Sequence, residues 1–270
     1  MSLEQIKNTA AYIKGRVPVT PEVGIILGTG LGGLVKEIEI LHTLPYEQIP
    51  NMPLSTVEGH SGKLIFGNLG GKKVVAMQGR FHFYEGYSME QVIFPVRVMK
   101  YLGIKTLLVA NASGGVNPDF EIGDVMIIRD HIHLAPNPLI GKNEDELGPR
   151  FPDMSVPYSK QLIEKAKAIA KKNNIKVREG VYVGLTGPTL ETPAEYKYIR
   201  IIGGDNVGMS TTSEVIAACQ MGIPVFAMSI ITDVGIEGRI VKVTHQEIME
   251  AAEKAEPKLT VIMKELAGML

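Results

Sequence analysis

Nine residues, "GRFHFYEGY" (79–87), set an arginine, a histidine and a glutamate among aromatic side chains. Arg80 and His82 are residue types that commonly donate hydrogen bonds to phosphate or carboxylate groups. Read as a strand, the stretch would put Arg80, His82 and Tyr84 on one face and Phe81, Phe83 and Glu85 on the other. That pattern fits either an amphipathic strand end whose polar face meets water or an anion site. "LGTGLGGL" (27–34) bears on the choice. Its Gly28, Gly30 and Gly33 satisfy G-x-G-x-x-G, but no second strand ending in an acid follows about 20 residues on, as a dinucleotide site requires. The more general reading is a glycine turn after a strand, whose N–H groups converge on an anion, with the Thr29 hydroxyl beside them.

Other chemistry-bearing residues are spread along the chain. "EGHSGKL" (58–64) and "NASGGVNP" (111–118) read as polar glycine turns beside strands, the first carrying His60. "GPTLETPAEY" (187–196) puts Glu191 just ahead of a helix cap, where a carboxylate serves the helix dipole or faces a ligand. "VGMSTTSEV" (207–215) offers Met209 and Ser210 before another helix, and "ITDVG" (231–235) sets Asp233 at a strand end. His131-x-His133 has no carboxylate at matching metal-ligand spacing and reads as a structural strand end. The lone Cys219, in the apolar "EVIAACQMG", reads as a buried thiol.

The elements that must position these groups alternate between strands and helices. Strands are expected at 23–27, 63–69, 72–78, 105–111, 123–130, 177–185 and 223–232, with "LGG" (69–71) turning a hairpin. Capping boxes at Ser88, Thr192 and Thr244 open apolar-periodic helices. The fold class is therefore α/β: a single domain over residues 1–270, three layers, with a central mixed β-sheet flanked by helices. The stretch 134–158 carries five prolines and no clear period, and loops of that length are usually functional or mobile. A 270-residue chain with a formal net charge of −1 carries no electrostatic footprint for nucleic acid or an anionic membrane. With no long apolar run and a single cysteine, a cytoplasmic setting is expected.

Taken in order, GTGLGG, GHSG, GRFHFYEGY, NASGG, RFP, GPTLET, VGMS, SIITD and a following histidine resemble the trimeric, low-molecular-mass purine nucleoside phosphorylases, over about residues 23 to 250. The resemblance implies phosphorolysis of purine (deoxy)ribonucleosides, chiefly inosine and guanosine. It implies phosphate held by Thr29, His60, Arg80, His82, Ala112 and Ser210, and ribose met by Tyr84, Met209 and His245. The purine would meet Glu191, Asp233, Leu190 and Val207, while Glu85 supports the constellation and Asp233 serves the leaving base. Phe151 matches an aromatic lent to a neighbouring subunit, so a homotrimer with shared sites is implied. Inorganic phosphate is a co-substrate, and no cofactor or metal is called for. Arg80, taken as partly exposed, is expected to matter for phosphate far more than for stability.

Three positions depart from the mammalian-type pattern. Thr29 stands for serine, Leu190 for a flanking aromatic, and Asp233 for asparagine. An ionised Asp233 would suit a 6-amino purine, whereas a protonated one still serves a 6-oxo purine. The alternatives are a methylthioadenosine phosphorylase, against which His245 speaks, or a broader phosphorylase accepting adenosine.

Overall fold

Val23–Leu27 is apolar at every position and needs cover on both faces; it forms β1 in the interior of the sheet. The computed structural model describes residues 1–56 and 62–270, and the expected His60 turn lies outside the described residues. Among the described residues, nine strands join in the order β2-β3-β4-β1-β5-β8-β7-β6-β9. They are β2 (Glu39–Pro45), β3 (Lys63–Leu69), β4 (Lys72–Gln78), β5 (Thr106–Gly115), β6 (Val125–His133), β7 (Val177–Gly184), β8 (Asn206–Gly208) and β9 (Val225–Val234). The sheet is mixed. β1 runs parallel to β4 and β5, β5 runs parallel to β9, and the β3–β4 hairpin is antiparallel. That hairpin turns at Gly70-Gly71, both at positive φ, as a two-residue turn between right-twisted strands demands.

Further pairings of β5 with β9 and β9 with β6 close β5, β8, β7, β6 and β9 into a ring, so one end of the sheet curls on itself. Local pattern held no sign of that closure. β2 and β8 also escaped the sequence reading. Most of β2 is exposed, so it carries no buried run, and β8 has only three residues. "NASGG" is not a turn: β5 continues through it to Gly115, paired with β9 on one side and β8 on the other. Nor is "GRFHFYEGY" a strand. β4 ends at Gln78, and Phe83–Glu85 wind into a single 3₁₀ turn.

Among the described residues, six α-helices complete the layers: α1 (Leu3–Lys14), α2 (Met89–Leu102), α3 (Lys160–Lys172), α4 (Pro193–Ile201), α5 (Thr212–Gln220) and α6 (His245–Gly268). α1, α2 and α5 pack successively on one another, while α3 packs on α6. The three expected capping boxes form, Ser88 on α2, Thr192 on α4 and Thr244 on α6. Each satisfies two N–H groups that a helix start otherwise leaves without partners. Among the described residues no helix is long and apolar enough to cross a membrane.

The segment 134–158 is tied down by polar contacts. Gln220 donates to the Asn143 side chain and the Pro149 carbonyl, and Arg150 donates to the Leu139 carbonyl at 2.7 Å. Cys219 is half-buried among apolar neighbours, which push its thiol up to about 11. His131 pairs with the Tyr158 hydroxyl and His133 with the Thr212 hydroxyl and the Pro136 carbonyl, the structural roles expected of them.

Candidate active site

Parallel strands deliver their C-terminal ends to one place, and open α/β sheets bind ligands outside those ends. Here the ends of β1, β4, β5 and β9 open on a cavity of about 380 Å³, within the range of small-molecule sites. Thr29, Arg80, His82, Tyr84, Ala112, Leu190, Glu191, Val207, Met209, Ser210, Asp233 and His245 all line it. These residues span over two hundred positions, and only the topology brings them together. Glu85 stands behind His82, and Phe151 is 88% exposed and lines no part of the cavity.

Arg80 is 1% exposed, which corrects the expectation of a partly exposed guanidinium. Its Nε and Nη2 donate to the two carboxylate oxygens of buried Glu214, at 3.1 and 3.2 Å. Its Nη1 donates to the Ala110 carbonyl and the Ser210 hydroxyl, both at 3.1 Å. The fork is thus fixed in plane by an internal carboxylate, a geometry Arg supplies and Lys does not. Glu214 sits in the first turn of α5 and gave no sequence signal beyond an acid near a helix start.

The backbone beside Ser210 is strained. Thr211, the residue before α5, has φ 71°, which is rare for a β-branched side chain. Asn111 holds it there, donating from Nδ2 to the Thr211 hydroxyl at 2.8 Å. Ser210 N–H donates to the Tyr182 hydroxyl at 3.3 Å. Strain of this kind persists only where the surroundings over-determine it, commonly at functional sites. Asn111, Tyr182 and Thr211 escaped the sequence reading because nothing local marks a buried tether.

His82 has its Nδ1 2.8 Å from Glu85 Oε1, and its ring stacks on Tyr84 with centroids 4.6 Å apart. Burial lowers the His82 pKa from 6.5, against the Glu85 hydrogen bond, which raises it. For Glu85 burial works upward but is outweighed by hydrogen bonds from His82 and from Thr56, which bring it down to about 2. With Glu85 held ionised, the Nδ1–H of His82 points at its carboxylate.

The other end of the cavity is acidic. Asp233 comes into it through a bulge: Ser113 pairs with Ile231 and Gly114 with Asp233, which leaves Thr232 as the extra residue on β9. The carboxylate lies so close that a Cβ at position 114 would stand 2.9 Å from its Oδ2. Thr232 donates to Asp233 Oδ1 at 3.0 Å, and Tyr196 to Oδ2 at 3.4 Å. Burial raises the Asp233 pKa, against both of those hydrogen bonds. Glu191 is likewise raised by burial, with Asp233 adding like-charge repulsion. Two carboxylates lining one partly buried cavity oppose each other's ionisation. Tyr196, on α4, is the phenol close to both and was another residue without a sequence signal.

The model of the phosphorylase superfamily matches residues 22–267. Purine nucleoside phosphorylase 1 of Geobacillus stearothermophilus is 52% identical over 257 residues, covering 95% of this chain and 94% of its own. The crystal structure of a Schistosoma mansoni purine nucleoside phosphorylase in complex with adenosine superposes with a TM-score of 0.94 at 42% identity, covering 100% of this chain and 98% of that one. A second structure from that organism, in complex with inosine, gives 0.93 at 41% identity, covering 100% and 97%. With the cavity assembled from the motifs that carried the resemblance, the chain belongs to the phosphorylase superfamily, among its purine nucleoside phosphorylases.

Proposed function

We propose that this chain cleaves purine nucleosides with inorganic phosphate, inosine and guanosine chiefly, giving free base and (deoxy)ribose 1-phosphate. The observation that carries the reading is the polarity of one strand. Arg80 is fixed to the carbonyl of Ala110, and Asp233 lies beside Gly114. Four residues of strand span about 13 Å, room for a phosphate and a nucleoside end to end. An anion site at one end and an acid at the other is the layout phosphorolysis needs.

In this reading phosphate rests on Arg80, Ser210, Thr29, His82 and the Ala112 N–H, with His60 as a further donor. Tyr84, Met209 and His245 hold the ribose, and Leu190 and Val207 flank the purine. A phosphate oxygen forms a bond to C1′ as the C1′–N9 bond breaks, its electron pair passing to the purine. The sugar is oxocarbenium-like at the crossing point, and the incoming anion stabilises it. The departing base takes a proton at N7, where Asp233 stands, and Glu191 accepts the N1–H of a 6-oxo purine. Fixing both reactants in line removes most of the entropic barrier. No step calls on a cofactor.

A homotrimer with shared sites belongs to the same proposal. Phe151 is almost fully exposed in a loop that is otherwise hydrogen-bonded, and Ile140 in the same loop is 73% exposed. Apolar side chains held out on an ordered loop suit a neighbour's ribose site. The single thiol suits a reducing, cytoplasmic setting.

The test is to incubate the protein with inosine, guanosine, adenosine and methylthioadenosine, with and without phosphate, and to quantify free base. Release from inosine and guanosine only when phosphate is present is the expected outcome. Equal release without phosphate would mean a hydrolase. Phe151→Ala should raise the nucleoside KM several-fold, the order expected for lost apolar contact, with the fold intact by circular dichroism. A fully active monomer in solution would refute the shared site.

A further inference from the structure

The glycine turn after β1 is built against α6. Leu31 N–H donates to the Gly28 carbonyl at 3.2 Å, and Gly30 takes φ +73°, the conformation a type II turn reserves for glycine. A Cβ on Gly30 would stand 2.7 Å from Ala252 Cβ on α6, so the turn and the helix are in direct contact. Gly32–Glu37 then form a short 3₁₀ helix that begins without any side-chain cap of its own. Its first N–H groups would lack partners, as at any helix start. Glu256, from α6, supplies the acceptor: its Oε1 takes the Gly33 N–H and, at 3.2 Å, the Leu34 N–H.

The helix spacing links this contact to the cavity. His245, Ile248, Ala252 and Glu256 are separated by three, four and four residues and so share one face of α6. His245 and Ile248 line the cavity, Ala252 covers Gly30, and Glu256 caps the chain just past the turn. Eleven residues of helix put Glu256 about 16 Å along the axis from His245. It therefore acts on the reactants only through what it holds.

We propose that Glu256 is a positioning residue, which clasps the C-terminal helix to the glycine turn so that Thr29 and His245 face the same cavity in register. The proposal rests on the reading of Thr29 as a phosphate ligand and His245 as a ribose ligand. A carboxylate accepting backbone N–H groups across the fold makes both subsites depend on one contact.

Glu256→Ala removes the acceptor, and Glu256→Gln keeps a carbonyl oxygen in its place. Steady-state kinetics with inosine and phosphate, together with amide hydrogen exchange over Gly30–Leu34, form the test. Loss of a charge-assisted hydrogen bond should raise the phosphate KM of Glu256→Ala about tenfold. The nucleoside KM should rise with it, kcat should stay nearly unchanged, and exchange at Gly33 and Leu34 should quicken. Glu256→Gln should recover most of both losses. A wild-type phosphate KM in Glu256→Ala, or unchanged exchange at those amides, overturns the clasp. If the wild-type protein released no base at all, the proposed reaction would fail, and amide exchange in the two variants would still decide whether Glu256 holds the turn.

Discussion

Replacing Arg80 with methionine is expected to damage the fold and the reaction together. Arg80 and Glu214 are both buried and share two hydrogen bonds, so the substitution leaves Glu214 as an unpaired charge in the interior. Breaking such a pair from one side costs about 3–5 kcal/mol. The same change removes the fixed donor proposed to hold phosphate, and loss of one preorganised electrostatic contact lowers rates by about a hundredfold or more. The double variant Arg80→Met with Glu214→Leu separates the two effects. Replacing both members of a buried pair with apolar side chains is often close to neutral for stability. Denaturant midpoints should fall sharply for the single variant and recover for the double one, while kcat/KM for phosphate stays low in both. Recovery of activity along with stability would show that Arg80 serves only the fold.

Asp233→Asn is expected to change which purine is preferred and how the preference varies with pH. Burial raises the Asp233 pKa, so protonated carboxyl persists to higher pH than in an exposed aspartate. The protonated form donates to N7 or to a 6-oxo oxygen, and the ionised form only accepts, which suits a 6-amino group. As pH rises and Asp233 ionises, kcat/KM for inosine should fall, and that for adenosine should fall less. Asparagine donates at every pH. The variant should therefore flatten the inosine profile and raise the inosine-to-adenosine ratio by at least about tenfold, the scale set by one mismatched buried polar group. An unchanged ratio across pH would show that Asp233 does not face the base.

Much of the candidate site could be read along the chain because its residues sit in short, locally dense motifs. Arg80, His82, Tyr84 and Glu85 occupy six consecutive positions, and Met209 and Ser210 are adjacent. The capping boxes at Ser88, Thr192 and Thr244 were legible for the same reason, since both partners of each hydrogen bond lie three residues apart. The buried strands could be recognised from runs with no polar face. What the sequence determined by itself, then, is whatever depends on neighbours within one helical turn or one strand.

Tertiary structure decided the rest. Glu214, Tyr182, Tyr196 and Glu256 act on partners between 28 and more than 200 positions away, and no spacing rule connects such pairs. The burial of Arg80 has no local signature on the same ground: burial of a charge depends on whether a counter-charge, here Glu214, arrives from elsewhere in the chain. Extension of β5 through Asn111–Gly115 depends on β9 and β8 lying on its two sides, because glycines and an asparagine have little strand preference of their own. The bulge at Thr232 that turns Asp233 into the cavity is a mismatch between two strands, and a mismatch exists only once both strands are paired.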